Sequence, residues 1–154
     1  MRKRILSILL FSLSVLWIAF IFSNSLEDSV ESGEKSTWVY NIIHAFLPWV
    51  SRLFIRKMGH FAEFAMLGVF LSFSINSVIS PAPRLTLRNR LPLFFSFPAT
   101  FLVGCIDEFL QRFSEGRHPA FTDVLIDTSG GLFGILFVLG LLLIISRVKR
   151  NKKT

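Results

Sequence analysis

Four long stretches of this 154-residue chain contain no charged residue, and they constrain its fold more than any other feature. They cover residues 5–22, 64–83, 91–106 and 128–146, which is 18, 20, 16 and 19 residues. A helix needs about 20 apolar residues, in a range of about 17–25, to cross the hydrocarbon core of a bilayer. The sequence therefore predicts an all-α membrane protein rather than a soluble domain.

Two of these stretches are extended by neighbouring polar residues. The third becomes long enough when it continues past Asp107 to about Leu110, and the second begins near Lys57. We predict a bundle of four transmembrane helices, near 5–22, 57–79, 91–110 and 123–146, in a single domain that covers 1–154. Residues 23–56 then form an outer loop, and residues 147–154 form a basic tail.

Composition agrees with a membrane protein. Hydrophobic residues make up 52% of the chain and charged residues only 18%, whereas soluble domains contain about 25% charged residues. The single Cys105 excludes a scaffold held by disulfides within the chain. Basic residues precede the first apolar run, as they do in a signal peptide. That run exceeds the usual apolar region of about 7–15 residues, and no A-x-A-like site follows it, so we expect an uncleaved anchor.

Basic residues are concentrated on one side of the predicted topology. Eleven of the 17 Lys and Arg residues lie in the N-terminus, the loop between the second and third helices, and the C-terminal tail. All ten acidic residues lie in the other loops or at the adjoining helix ends. The positive-inside rule then places both termini in the cytoplasm. The net charge of +7 is a signal of membrane topology, and no nucleic-acid partner is expected.

This topology can be tested with reporter fusions. A reporter placed after Ser32 or after Glu115 should be located outside the cytoplasm, and a reporter placed after Arg88 should be located inside it. The measurement compares two reporters that are active on opposite sides of the membrane. A cytoplasmic location after Glu115 would contradict the orientation that the basic residues predict.

The predicted outer loop changes character along its length. Residues 23–37 are polar, whereas residues 37–54 alternate aromatic or aliphatic residues with polar ones and contain Pro48. The second part is too interrupted to cross a bilayer, so we predict an interfacial helix or a re-entrant segment anchored by aromatic side chains. After the second transmembrane helix, Pro81 and Pro83 predict its end.

Ionisable and polar residues at the outer ends of three predicted helices are the strongest functional signal. Their spacings of three and four residues place each set on one side of its helix. The sets are Lys57, His60 and Glu63 in the second helix, Asp107, Glu108 and Gln111 in the third, and Asp123 and Asp127 in the fourth. A charged side chain at a helix centre costs about 2.5–3.5 kcal/mol on insertion scales. We therefore predict one shared polar pocket, with Arg117 as its lid.

Two glycines follow the last acidic residue of this pattern. Gly130 and Gly134 have the G-x-x-x-G spacing, and they continue the same helix stripe below Asp127. Small residues at this spacing allow two helix backbones to approach closely in a membrane. We predict that another helix packs there.

Three segments carry a resemblance to a known family. They are RKMGHFAEF at 56–64, DEFLQRFSEGR at 107–117 and DVLIDTSGGLFG at 123–134. Together with FSNS at 22–25, which follows the predicted first helix, they resemble VanZ-like membrane proteins over most of the chain. The resemblance implies a small multi-pass protein of the bacterial plasma (inner) membrane and cell envelope. It also implies a link to resistance against the lipoglycopeptide teicoplanin, but no settled reaction.

Two classes of function agree with the polar pocket. In the first, the pocket binds the headgroup of a membrane lipid or a lipid-linked cell-wall precursor. The binding residues would be Lys57, Gln111, Arg117, Asp123 and Asp127. In the second, the protein is an intramembrane hydrolase or transferase that acts on a lipid phosphate or lipid-linked precursor. The candidate catalytic residues are then His60 as general base, Glu63 as the group that orients it, Asp107 and Glu108.

Other interpretations compete with these two. The polar residues can form a clamp between helices, although such contacts average only about 0.6 kcal/mol. No cofactor is expected, but the carboxylates suit Ca²⁺ or Mg²⁺, and His60 adds a nitrogen ligand for a transition metal. Instead of a metal ion, Lys57 and Arg117 can neutralise the carboxylates. Transport is disfavoured because the cytoplasmic halves of the helices contain no ionisable residue. The oligomeric state is not predicted.

Overall fold

The computed structural model describes residues 2–27, 29–79, 93–117 and 119–151, and every regular element within them is helical. Five α-helices follow one another along the chain. They are α1 Arg2–Ser25, α2 Ser29–Phe46, α3 Arg52–Ile79, α4 Ser96–Leu110 and α5 Phe121–Asn151. A short 3-10 helix, Gln111–Phe113, directly follows α4.

Four of the helices in the described residues are long and apolar enough to cross a membrane. Their candidate spans are Arg4–Ser25, Arg52–Val78, Leu93–Phe113 and Phe121–Lys149. These spans correspond to α1, α3, α4 with its short flanking turns, and α5. The prediction of an all-α protein with four transmembrane helices is therefore confirmed. The side of the membrane on which the termini lie stays a prediction.

Three helices, α1, α3 and α5, extend further than their apolar stretches. α3 begins at Arg52 rather than near Lys57, and α5 begins at Phe121 and continues through basic residues to Asn151. Charged side chains at a membrane surface do not end a helix, because they extend from the backbone towards water. The 28 residues of α3 reach about 42 Å at about 1.5 Å per residue. The uncharged stretch is thus shorter than the helix that contains it.

The predicted bounds of the interfacial segment are wrong. α2 begins at Ser29, within the part predicted as polar loop, and it ends at Phe46. Residues 52–54 belong to α3 instead. Ser, Glu and Lys all continue a helix in the polar part, whereas Pro48 cannot, because it lacks an N–H and clashes with the preceding turn. As predicted, this segment does not form a membrane span.

Several predictions fall outside the described residues. They concern the loop of residues 80–92, with Pro81, Pro83 and its three arginines, and the last residues of the basic tail, 152–154. The predicted start of the third helix at residue 91 also lies there. Within the described part, α3 ends at Ile79, immediately before this loop.

Close contact between α3 and α5 forms the centre of the bundle. A Cβ atom on Gly130 would collide with the backbone carbonyl of Phe61, and one on Gly134 would collide with the carbonyl of Ala65. On α3, Gly68 also lies directly against the backbone of α5. The predicted close approach at the G-x-x-x-G spacing is confirmed. The small residues of α3 that contact these glycines were not predicted.

Polar and apolar side chains are distributed in the reverse of a soluble domain. Asp107 and Asp127 are completely buried, whereas Leu16 is 67% exposed and Phe11 and Ile144 are similarly exposed. In water such an apolar surface would drive association. In a bilayer it faces lipid, and the polar side chains must find partners inside the bundle.

α1 is held against α3 by two hydrogen bonds. The buried hydroxyl groups of Ser14 and Ser74 lie 3.1 Å apart, and the indole N–H of Trp17 donates to the backbone carbonyl of Glu63 at 2.9 Å. Apolar side chains of both helices, including Ile21 and Leu67, pack together beside these contacts. The C-terminal end of α1, which carries Ser25, is thereby placed beside the polar residues of the other helices.

Candidate functional site

Polar side chains from four helix ends meet on one side of the bundle. The C-terminal ends of α1 and α4 lie beside the N-terminal parts of α3 and α5, because successive candidate membrane spans run in opposite directions. We call this group the polar cluster. Its members are Asn24, Ser25, Lys57, His60, Glu63, Asp107, Glu108, Gln111, Ser114, Arg117, Asp123 and Asp127. The structure thus brings together all nine residues predicted for the site.

Asp107 lies at the centre of the cluster and is completely buried. One carboxylate oxygen accepts a hydrogen bond from the Ser25 hydroxyl, and the other accepts one from the Gln111 amide at 3.1 Å. The Ser114 hydroxyl donates to the backbone carbonyl of Ser25 at 2.7 Å. Donors from α1 and from the short 3-10 helix after α4 therefore fix the orientation of this carboxylate. The predicted i,i+4 relation of Asp107 and Gln111 is a direct contact.

Asp127 and His60 face each other across the interface of α5 and α3. The Nδ1 atom of His60 lies 3.8 Å from Oδ1 of Asp127, whose side chain is only 1% exposed. Neither carboxylate oxygen of Asp127 accepts a hydrogen bond from the part of the chain that the structure describes. One donor atom from each of His60, Asp107 and Asp127 lies within 4.8 Å of the other two.

The rim of the cluster contains a partly exposed ion pair and the buried carboxylate of Glu108. Nζ of Lys57 forms an ion pair with Oδ1 of Asp123 at 2.5 Å, and both side chains keep some access to the surface. Glu108 accepts a hydrogen bond from the backbone N–H of Ala120, which ties the end of α4 to the loop before α5. Lys57 was predicted to neutralise one of the acids, and it does so at Asp123.

Arg117 reaches over the cluster from this loop. Its Nη2 atom donates to the backbone carbonyl of Asn24 at 3.0 Å, while its buried Nε has no hydrogen-bond partner among the described residues. Burial, followed by repulsion from the Arg56 guanidinium, lowers the pKa of Arg117 from its usual value, although a guanidinium stays charged in proteins. Neither of these two arginines forms an ion pair with a described residue.

Glu63 has a different partner from the predicted one. Its carboxylate accepts a hydrogen bond from the Asn24 amide at 3.0 Å, so it is turned towards α1. The carboxylate next to His60 is that of Asp127 instead. Residues three apart share a helix face, but the neighbouring helices decide which group each of them meets. Asp127 is therefore also placed to orient His60, and the orientation of His60 by Glu63 stays a prediction.

Three members of the cluster were not predicted as site residues. They are Asn24 and Ser25 at the end of α1 and Ser114 after α4. The sequence contained a signal for the first two, since Ser23, Asn24 and Ser25 directly follow an apolar run. They were placed after the helix, whereas α1 continues to Ser25.

The charges of the cluster are unevenly distributed. Its five carboxyl groups outnumber its two permanently cationic side chains, Lys57 and Arg117. The acids Asp107 and Asp127 occupy the buried core, whereas the cations lie at the rim. A buried carboxylate needs hydrogen bonds or a counter-charge to offset the loss of its hydration. The arrangement can therefore hold an anionic group at its rim and a cation in its core.

Comparison with known proteins gives one match. The model of the VanZ/LLP1 family matches residues 9–145, which include all four candidate spans in large part and the whole polar cluster. No curated protein and no solved structure gives a significant match.

Proposed function

Because this chain belongs to the VanZ/LLP1 family, we propose that it is a protein of the bacterial plasma membrane that binds a lipid headgroup. The headgroup belongs to a membrane lipid or to a lipid-linked cell-wall precursor, and it occupies the polar cluster on the outer side of the membrane. In the cell this binding lowers the access of glycopeptides such as teicoplanin to such headgroups. The four candidate spans and the family match support the part of this proposal that makes the chain a membrane protein.

The single observation that carries the proposal is the buried donor of Arg117 that has no described partner. Arg117 has a buried Nε–H with no described hydrogen-bond partner, and repulsion from the exposed Arg56 guanidinium contributes to lowering its pKa. A guanidinium presents its donors in a planar fork that matches the oxygens of a phosphate. A phosphate at this position would relieve the repulsion between the two arginines and satisfy the free donor.

The surroundings of the rim suit a lipid rather than a soluble anion. Next to the cluster, the exposed surface of the bundle carries large apolar side chains such as Phe113 and Phe121 at the ends of the candidate spans. Aromatic side chains of this kind occupy the headgroup level of a bilayer. The acyl chains of a ligand would then lie along the helices while its headgroup reaches Arg117.

Replacing Arg117 with glutamine should weaken binding of an anionic lipid. A hydrogen bond to a charged group contributes about 1.5–3 kcal/mol, which corresponds to an increase of about tenfold to a hundredfold in Kd. The measurement titrates the purified full-length chain in detergent with short-chain phosphatidylglycerol and with undecaprenyl phosphate. Phosphatidylcholine is the zwitterionic reference.

The matched control is Arg112→Gln. Arg112 belongs to the same connection between α4 and α5, is exposed, and lies over the Phe109 ring at 5.7 Å rather than in the cluster. This variant makes the same change in charge and should bind as the unmodified chain does. An equal loss in both variants, or no preference for anionic lipid over phosphatidylcholine, would contradict the proposal.

The second candidate function is an intramembrane hydrolase or transferase. The observation that favours it is the approach of His60 to Asp127, since a carboxylate next to an imidazole orients it as a general base. The substrate would be a lipid phosphate or a lipid-linked cell-wall precursor. This candidate predicts that the chain changes the composition of envelope lipids, whereas a binding protein leaves that composition unchanged.

A further inference from the structure

The buried core of the polar cluster contains a set of ligand atoms that the headgroup proposal does not use. His60 on α3, Asp107 on α4 and Asp127 on α5 each supply one possible ligand atom, and these atoms lie within 4.8 Å of one another. Two ligands held about 2.1 Å from one ion lie about 3.0–3.4 Å apart. A side-chain adjustment on the order of 1 Å therefore closes the set around an ion.

Asp127 supplies an independent indication that something binds there. Its side chain is 1% exposed, and neither carboxylate oxygen accepts a hydrogen bond from any residue in the described part of the chain. Buried polar groups in proteins almost always have a partner, and an unpaired buried carboxylate is strongly destabilising. We propose that His60, Asp107 and Asp127 bind one divalent transition-metal ion of the Mn²⁺ or Zn²⁺ class.

The two fixed cations of the cluster do not supply the missing counter-charge. Lys57 is paired with Asp123, and the Nη2 atom of Arg117 is bonded to the backbone carbonyl of Asn24. Neither side chain forms an ion pair with Asp127 among the described residues. A dication in the core would balance the charges of the Asp107 and Asp127 carboxylates.

The groups behind the proposed ligands are arranged as in metal sites. Each oxygen of Asp107 already accepts one hydrogen bond, from Ser25 and from Gln111, and each keeps a lone pair that can face an ion. Such outer contacts hold a ligating carboxylate in position before the metal arrives. Ser25 and Gln111 would thus act as positioning residues for the site.

The donor set indicates which ions fit. One imidazole nitrogen and two carboxylate oxygens are a mixed set, which suits Mn²⁺, Fe²⁺ or Zn²⁺ better than the all-oxygen preference of Ca²⁺ and Mg²⁺. Three protein ligands also leave coordination positions open, as in metal sites that bind a further molecule. The inference does not depend on headgroup binding. It does replace the role of His60 as general base, because a ligating nitrogen is not free to accept a proton.

The test measures metal bound to the purified full-length chain. After removal of metal with a chelator, the chain in detergent is dialysed against Mn²⁺ or Zn²⁺ and its metal content is determined. We expect one ion per chain, a higher Tm with metal than without it, and no displacement by an excess of Ca²⁺. Asp127→Asn and His60→Gln should each lose the bound ion and the rise in Tm.

Controls separate loss of the site from loss of the fold. Asp127→Asn keeps the shape of the side chain and removes a buried charge, so its helical content and gel-filtration profile should match those of the unmodified chain. Glu115→Gln removes an exposed carboxylate in the neighbouring loop and should leave one ion bound. Absence of Mn²⁺ and Zn²⁺ binding by the unmodified chain, or equal binding by a folded Asp127→Asn or His60→Gln variant, would overturn the inference.

Discussion

Gly134→Val should prevent α3 and α5 from packing and leave the chain without a stable folded bundle. A Cβ atom at this position would collide with the backbone carbonyl of Ala65 and approach the backbone nitrogen of Val69. Backbone atoms within a helix cannot move aside as the end of a side chain can. Overpacking of a core costs about 1–3 kcal/mol where side chains can adjust, and more where they cannot. Total stabilities are only about 5–15 kcal/mol.

The matched control is Gly140→Val in the same helix. A Cβ atom at Gly140 has no neighbour within 4 Å outside its own stretch of helix among the described residues, so the added side chain meets open space. Thermal unfolding and gel filtration in detergent measure both variants. We expect aggregation or a greatly lowered Tm for Gly134→Val and a nearly unchanged Tm for Gly140→Val. Similar Tm values for the two variants would show that close backbone contact does not determine stability here.

Cells that express the Asp107→Asn variant should be as sensitive to teicoplanin as cells without the gene. Asp107 is the buried centre of the polar cluster, and the substitution removes its charge while keeping its shape. The Gln111 amide and the Ser25 hydroxyl can both turn to satisfy the new amide, so the bundle should still fold. The measurement is the lowest teicoplanin concentration that stops growth, together with the amount of protein in the membrane.

Glu34→Gln is the control for this experiment, because Glu34 is an exposed carboxylate on α2. Cells with this variant should grow at the same teicoplanin concentrations as cells with the unmodified chain. Envelope lipids from the same cultures distinguish the two candidate functions. A lipid that changes with the unmodified chain and not with His60→Ala would favour the enzyme. Full resistance with Asp107→Asn at normal protein levels would exclude a role of the cluster in resistance.

The transmembrane helices and the meeting of the polar residues were predictable from the sequence. Both follow from the bilayer, which requires long apolar helices and leaves no place for an isolated charge. His60 and Asp127 are 67 residues apart in the chain, yet the cost of exposing either to lipid was enough to predict that they share one site. Helix ends were less predictable, because neither Arg52 nor Asn24 interrupts a helix.

Individual contacts within the site were not predictable from spacing. Glu63 and His60 lie on one face of α3, but α1 presents Asn24 to the first and α5 presents Asp127 to the second. Which group meets which depends on the rotation of each helix, and that rotation is set by packing along its whole length. The small residues Ala65 and Gly68 of α3 determine part of this packing. In the sequence they do not form a spacing pattern as clear as that of the glycines of α5.

Ser14 and Ser74 meet in the apolar half of the bundle, about 16 Å along α3 from Glu63 at about 1.5 Å per residue. With the Trp17 contact, they hold α1 at one depth and one rotation. The positions of Asn24 and Ser25 are therefore set by contacts in the middle of α1, because the helix between these contacts and its C-terminal end is rigid. Removal of the Ser14 or Ser74 hydroxyl group would therefore disturb the polar cluster at a distance, although neither serine belongs to the cluster.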